Sequence, residues 1–490
     1  MSRGSRRSLA FVLILVFGVA NMNVAALAAA IANPALLPGQ ILALRGGERN
    51  DQQLRLVFDR TENGTPAAPL KVDIGADYFT VIDGSKESID DLKLHRHFIV
   101  DNDKKTLVNL SLFGEVMFRR VELLRRIRLA QSLAKPPNHP PLPQSLDRFW
   151  IESELGMTWR GRKEPAALVA QRRQGNKVQF AYHGQEVASF VPSGRVVPGG
   201  LGHSFLAFLR NQLPIHPRII DVVAGGGEIP QRLQFISEAK GTGERIVLTL
   251  RQTDVVHADF PLPPHLTLVL VPGGTGDPDA ALMRQVLPDM VNAIAGRANG
   301  GPRSITTYRV AIDRAIRHNH RFEAVLRLTE LALQWGRDAA ACDPGDGLGP
   351  CHSRREIDRL IHDDSRSTAL FKAAALENSA PDSAIRVWRG VTGQDVPGDY
   401  VVDIFLARLL SQEGKRQAAA EAFVRAYAGD PYIPLLYREL GNHFARASRF
   451  DFAWLCYDLG RALPKRRDHD ALEGIDEVER EMLRVYPDLL

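Results

Sequence analysis

Two H-x-H pairs, His95/His97 and His318/His320, are the residues of this 490-residue chain whose spacing most directly suggests metal chemistry. Residues two apart on a β-strand project from one face, so such a pair on a strand presents two imidazoles to one ion. Only the first pair lies in a strand-like run. No cysteine or carboxylate stands at a chain spacing that completes either set, so both pairs read as surface histidines. Gly202-His203-Ser204 opens like a nucleophile elbow, in which a serine sits on a strained strand-to-helix turn. Leu206 stands where the closing glycine belongs, and the segment before it is rich in proline and glycine, so Ser204 reads as a helix N-cap or loop residue. Gly273, Gly274 and Gly276 follow the apolar run Leu266 to Val271 and precede a helix, an order that can cradle a phosphate. The Lys-Ser/Thr pair of a Walker loop is missing, so these glycines read as a junction, and Gly225, Gly226 and Gly227 as a helix stop. No catalytic, cofactor-binding or metal-ligating residue is therefore assigned, and the expectation is a noncatalytic protein.

Cys342 and Cys351 flank the turn-rich segment Asp343 to Pro350, where glycine and proline let the chain double back. They are a disulfide candidate in an oxidising compartment; a metal site with His352 would need two further ligands. Cys456 reads as a small packed core residue. Arg3, Arg6 and Arg7 precede an apolar run from Leu9 to Ala20, with small residues through Ala32. This is the pattern of a cleaved signal peptide over residues 1–32, an uncleaved anchor being the alternative, and it predicts a periplasmic or secreted protein. The formal charge of +5 falls to about +2 without that leader, which argues against nucleic acid as a partner.

Behind these residues, the predicted elements form two strand-rich modules. Leu54 to Phe58, Leu70 to Ile82, Leu92 to Val100 and Thr106 to Leu112 alternate with turn signals and predict an antiparallel meander. A helix from Phe113 to Leu133 follows, with Met117, Val121 and Leu124 toward the sheet and Arg119, Arg125 and Arg126 away from it. That basic face offers a peripheral membrane contact, or is the solvated side of a packed helix. The module spans 40–134, and a Pro-rich linker over 135–146 contains Pro136, Pro137, Pro140, Pro141 and Pro143. Strands at Ala167 to Arg173, Lys177 to Tyr182, Glu186 to Val191, Arg232 to Ile236 and Arg245 to Gln252, with two helices between them, make a second α+β module over 147–272. The two modules can equally be one interrupted sheet. Residues 273–302 complete the non-repetitive part as a glycine-rich junction and helix.

Residues 303–490 read as helical hairpins. Leu406, Ala407, Leu410, Ala419, Phe423 and Ala426 overlay Leu440, Gly441, Phe444, Ala453, Tyr457 and Gly460 at an offset of 34 residues. Small residues at these positions admit a neighbouring helix and the aromatics fill the gap between helices. Weaker copies lie upstream, one with Ala311, Ala315, Ala324, Leu328 and Leu331, another with Ala384, Trp388 and Val391. Over about 400–465 the pattern resembles the tetratricopeptide repeat family, with Ala407 in place of the usual glycine and Pro464 one position early. The resemblance implies a stacked array that binds a protein or peptide partner and carries no chemistry of its own.

The fold class expected is thus α+β, a β-rich N-terminal half of antiparallel meanders with packed helices followed by a C-terminal α-helical repeat array. The function expected is an exported scaffold or adaptor in a bacterial cell-envelope assembly, without cofactor, holding its partner on the repeats. Two alternatives stand beside it: an envelope protein whose β-rich half binds a lipid or saccharide, and a serine hydrolase built on Ser204.

Overall fold

Alternating apolar residues and turn signals between residues 51 and 111 produce six strands in an antiparallel meander. In the computed structural model, which describes residues 38–46, 51–133, 144–158, 170–238, 243–274, 276–298, 302–336, 339, 342, 347–391, 396–464 and 471–490, helix α1 (Pro38–Arg45) precedes them. The expected leader and the prolines from Pro136 to Pro143 lie outside the described residues. The strands are β1 (Asp51–Glu62), β2 (Thr65–Ile74), β3 (Tyr78–Asp83), β4 (Lys86–Asp91), β5 (Arg96–Asp101) and β6 (Thr106–Ser111), each paired with the next. At the β1–β2 turn Asn63 and Gly64 have φ of 50° and 83°, the mirror-type turn that suits the strand twist. The run Leu70 to Ile82, expected as one strand, is two. Gly75 N–H donates to Tyr78 O at 2.9 Å, and a side chain at Gly75 would meet the Tyr78 ring, so glycine permits the reversal. Strand β4 escaped the sequence pattern because its one large apolar residue is Ile89, between Glu87, Asp90 and Asp91.

Helix α2 (Leu112–Leu133) follows directly. Its buried residues are Leu112, Gly114, Val116, Leu123 and Ile127, so Val116, Leu123 and Ile127 take the place of the expected Met117, Val121 and Leu124. Spacings of seven and four trace one face of a 3.6-residue helix equally well from either start, and only the neighbouring elements choose the face. Then come α3 (Arg148–Leu155), β7 (Ala170–Gln174), β8 (Lys177–Tyr182), β9 (Gln185–Val196), α4 (Gly202–Gln212), α5 (Pro217–Gly225), β10 (Glu228–Ser237), β11 (Glu244–Ala258) and the short β12 (Thr267–Leu268).

All of these strands belong to one 12-stranded sheet of order β12-β6-β5-β4-β3-β2-β1-β11-β10-β9-β8-β7. Pairing of β1 with β11 from Asp51↔Ala258 to Glu62↔Ile246 joins the two strand groups, so of the two arrangements left open by the sequence the structure has the single sheet. A meander that begins at β1 leaves that strand with an open edge, and β11 satisfies its backbone groups. Phe79, Phe98, Phe205 and Phe208 fill the space against the sheet, each no more than 1% exposed, with the Phe79 and Phe208 rings edge-on at 6.0 Å.

The remaining described helices are α6 (Pro278–Ile294), α7 (Ile305–Arg317), α8 (Arg321–Trp335), α9 (Arg354–His362), α10 (Ser365–Leu376), α11 (Pro381–Val391), α12 (Tyr400–Gln412), α13 (Arg416–Gly429), α14 (Pro434–Arg446), α15 (Phe450–Arg461) and α16 (Glu473–Val485). The pairs α7/α8, α10/α11, α12/α13 and α14/α15 pack as hairpins. Residues 271–478 form one compact unit, and residues 36–270 with 479–490 the other. Helix α6, expected in a junction over 273–302, lies on the second helices α13 and α15, while α8 lies on the first helices α10, α12 and α14. The first-helix side of the hairpins is thus partly covered by the chain's own α8.

Cys342 and Cys351 are disulfide-bonded, their Cα atoms 5.6 Å apart. At Gly441 a Cβ would sit 2.2 Å from Tyr457 Cε1, and the Tyr457 hydroxyl is tied to Asn442 Oδ1 at 2.9 Å. Gly441→Ala is therefore expected to destabilise the helical unit by about 1–3 kcal/mol despite alanine's higher helix propensity. Gly390→Ala, where nothing lies within 4 Å of the added atom, should change stability by less than about 1 kcal/mol, as read by urea unfolding of both variants. Reduction of the disulfide should lower stability by about 2–3 kcal/mol, seen as a fall in Tm with reductant that a Cys342→Ser/Cys351→Ser variant no longer shows.

Candidate functional site

Strand alternation places Ser88 and Asp90 on one face of β4, and register puts His97 of β5 directly opposite Asp90. Glu115, in the first turn of α2, completes a cluster in which one donor atom each of Asp90, His97 and Glu115 lies within 4.8 Å of the others. His97 Nδ1 faces Asp90 Oδ1 in a close ion pair, and its Nε2 faces Ser88 Oγ at 3.5 Å. Arg119, one turn along α2, pairs with Glu115, and donates to Asn211 Oδ1 at 3.0 Å and Asn211 O at 3.3 Å at the end of α4. The side chain of Asp90 is 2% exposed, that of His97 17% and that of Glu115 36%, so the cluster opens to solvent on the helix side.

Burial opposes the charge on His97, but Asp90, its hydrogen bond and Glu115 outweigh it and raise the imidazole to about 9. Burial likewise pushes Asp90 up against the pull of His97, whereas Arg119 and His97 hold Glu115 below its ordinary range in spite of burial. The order hydroxyl, imidazole, carboxylate has the connectivity of a proton relay. An imidazole that stays protonated near neutrality is not a base for Ser88, and 3.5 Å is long for the hydrogen bond that a nucleophile requires. The arrangement is suited instead to holding positive charge.

The expectation of surface histidines is therefore corrected for His97 and refined for His95. His95 lies before β5 begins, at φ 52°, and packs on Phe113 at 5.2 Å, so the two imidazoles do not share a strand face. Asp90 lies seven residues before His97 in the chain, and Glu115 eighteen after it. Neither offset is a ligand spacing. The readable signal was weak: an acidic run, Asp90-Asp91, one tight turn before an H-x-H pair.

A second feature lies in the helical unit. Buried Glu330 of α8 accepts from Tyr308 Oη at 2.6 Å, Arg303 at 2.9 Å and Arg327 at 2.8 Å. Asp430, 3% exposed, accepts from Gln334 at 2.6 Å and from Tyr432 N–H at 2.8 Å. Burial is the main reason Asp430 is raised to about 6, and Glu330 adds to it. Beside this knot, α8, α10, α11 and α12 line an open groove of about 120 Å³. It is lined by Leu326, Leu370, Phe371, Trp388 and Phe405, with Arg408 the charged residue among its lining. Phe371 is 49% exposed, and Arg408 lies over the Phe405 ring at 5.3 Å while pairing with Glu377.

The other residues singled out from sequence are engaged structurally. Ser204 is fully buried in α4 and donates to Ala76 O at 3.0 Å, so no nucleophile is presented there. The N-terminus of α6 is closed by its own Asp277, which accepts from Asp279 N–H at 2.9 Å and Ala280 N–H at 3.2 Å. Those are the groups a phosphate would use, and a carboxylate already holds them. Gly226 caps α5, with Gly227 at φ 64° beyond it. His318 and His320 sit at the α7–α8 turn with ring centroids 6.1 Å apart, and His320 is largely exposed. Of the arginines of α2, Arg119 pairs with Glu115, and Arg126 with Glu122 at 2.8 Å and Glu154 at 2.6 Å. Cys456 is fully buried against Met283.

No protein family matches the sequence, and comparison with curated proteins finds no similar one.

Because Asp430 is raised in the folded state, the fold favours its protonated form. Stability from this group is complete below the ordinary carboxylate range and is lost as pH rises through about 6. The expected change between pH 4 and pH 8 is on the order of 3 kcal/mol, and Asp430→Asn should flatten that slope in unfolding measured at both pH values.

Proposed function

We propose that the protein is an exported, noncatalytic scaffold or adaptor whose helical unit binds a peptide segment of a protein partner in the groove between α8, α10 and α12. The observation that carries this reading is the groove itself: a concave surface with an enclosed space of about 120 Å³, apolar along its length, in which Phe371 is held half-exposed. An aromatic left in this position on a helix that has other faces to bury it is more economical as a contact than as core. At about 120 Å³ the enclosed space is smaller than a typical ligand pocket and suits a single bulky side chain of a peptide. Arg408 at the groove, already balanced by Glu377, favours an apolar anchor followed by an acidic residue that can share the guanidinium.

The tetratricopeptide resemblance supports the same reading, with one change in where the partner sits. Helix α8 already lies on the first helices, so the partner uses the space beside it and not the whole first-helix face. The disulfide supports export, since such bonds persist in oxidising compartments. A lipid or saccharide site under the meander has less to support it, because buried phenylalanines fill that space.

The test uses full-length protein panned against a displayed peptide library, with binding of selected peptides measured by fluorescence anisotropy. Peptides with a bulky apolar anchor are expected. Ala374→Arg, which places a long charged side chain into the groove from the exposed side of α10, should weaken them by about tenfold or more, the loss of roughly one buried apolar contact. Lys372→Ala on the same helix should leave affinity unchanged. Selected peptides that bind Ala374→Arg as well as wild type would refute the assignment of this groove.

A further inference from the structure

The geometry points to a divalent transition-metal site on the sheet, formed by His97 Nδ1, Asp90 and Glu115, with zinc the best-matched ion. The donor set is one imidazole and two carboxylates, and three protein ligands leave a fourth position for water. The three donor atoms lie within 4.8 Å of one another, while the edge of a zinc tetrahedron with bonds of 2.0–2.1 Å is about 3.3 Å. Glu115 must therefore close by roughly 1.5 Å at most, and the His97–Asp90 contact must open by less than about 1 Å. The larger movement falls to Glu115, the most exposed of the three at 36%, while Asp90 and His97 are held opposite each other by strand register.

Two further features fit an ion better than a simple pair of salt bridges. A metal-bound imidazole is normally oriented by a hydrogen bond from its other nitrogen. Ser88 Oγ stands 3.5 Å from His97 Nε2, the nitrogen opposite the one that faces Asp90, and would orient the ring once it closes to accept that N–H. Arg119 occupies one oxygen of Glu115 and is itself anchored on Asn211, which fixes the carboxylate's direction and leaves its second oxygen without a protein partner among the described residues. The partial exposure of Glu115 and His97 gives an ion a way in. The site lies in the sheet unit and is independent of the groove proposed above for a peptide.

Full-length protein stripped with chelator and dialysed is titrated with Zn²⁺ by calorimetry, with Co²⁺ absorption as a report on coordination. One saturable site per chain and a rise in Tm with Zn²⁺ are expected. His97→Gln and Glu115→Gln should each weaken binding by a hundredfold or more, and Ser88→Ala by about tenfold, the usual effect of losing a partner that orients a ligand. His320→Ala reports on adventitious binding at the other histidine pair and should change nothing. Circular dichroism confirms that each variant is folded, and Glu115→Gln, on the exposed side, is the variant least able to perturb the sheet. Absence of saturable binding by the wild type, or wild-type affinity in folded Glu115→Gln and His97→Gln proteins, overturns the site and leaves a structural ion-pair cluster.

Discussion

The pairing of β1 with β11 is the constraint on which the β-rich half depends. It runs nearly the whole length of β1, shifting register once between Val57 and Phe58. Without it the meander β1–β6 and the group β7–β11 would each carry an open central edge, and the backbone groups of β1 would need water or another chain. With it, twelve strands share one frame, and α4 can lie across β2 and β3 with Phe208 against Phe79. That placement brings Asn211 to Arg119, which pairs with Glu115 one turn back on its own helix. The cluster at His97 is thus built within the meander and α2, and the long-range pairing contributes the outer anchor of Arg119 on Asn211.

The helical unit is organised by a different means. Its hairpins use small residues where helices approach closely, as at Ala407, Gly441 and Gly460. Helix α8 adds polar anchoring: Glu330 is fully buried yet satisfied by a tyrosine and two arginines, and Gln334 reaches Asp430 before α14. Burying a carboxylate in this way is tolerable only because several donors converge on it. These contacts tie α8 to α7 and to the turn before α14, its side chains pack on the first helices of three hairpins, and the proposed peptide groove is what remains open beside it.

Functional reading follows from these two arrangements differently. In the groove, the argument is one of shape and apolar surface, and the proposed role is binding. At Asp90, His97 and Glu115, the argument is one of converging donors, and the proposed role is holding a cation. Ser88 shows how connectivity alone misleads: it stands in the order expected of a triad, yet it meets an imidazole that its neighbours keep charged.

Much of the local structure was legible in the residues. Asn63-Gly64 and Asp83-Gly84 mark their turns because only certain residues take positive φ cheaply. The 34-residue recurrence places the C-terminal hairpins because size at the close approaches is a local requirement. What the chain alone could not decide was which distant segments meet. Strand β4 carries too many acids to look like a strand, and the buried face of α2 shifted by one residue according to what packed on it. The sequence by itself therefore determined the α+β class and the order of elements, which depend on periodicity and turn chemistry. Only the tertiary structure decided that the β half is one sheet, that α8 covers the first helices, and that His97 has two carboxylates, because pairing and side-chain convergence are set by long-range packing.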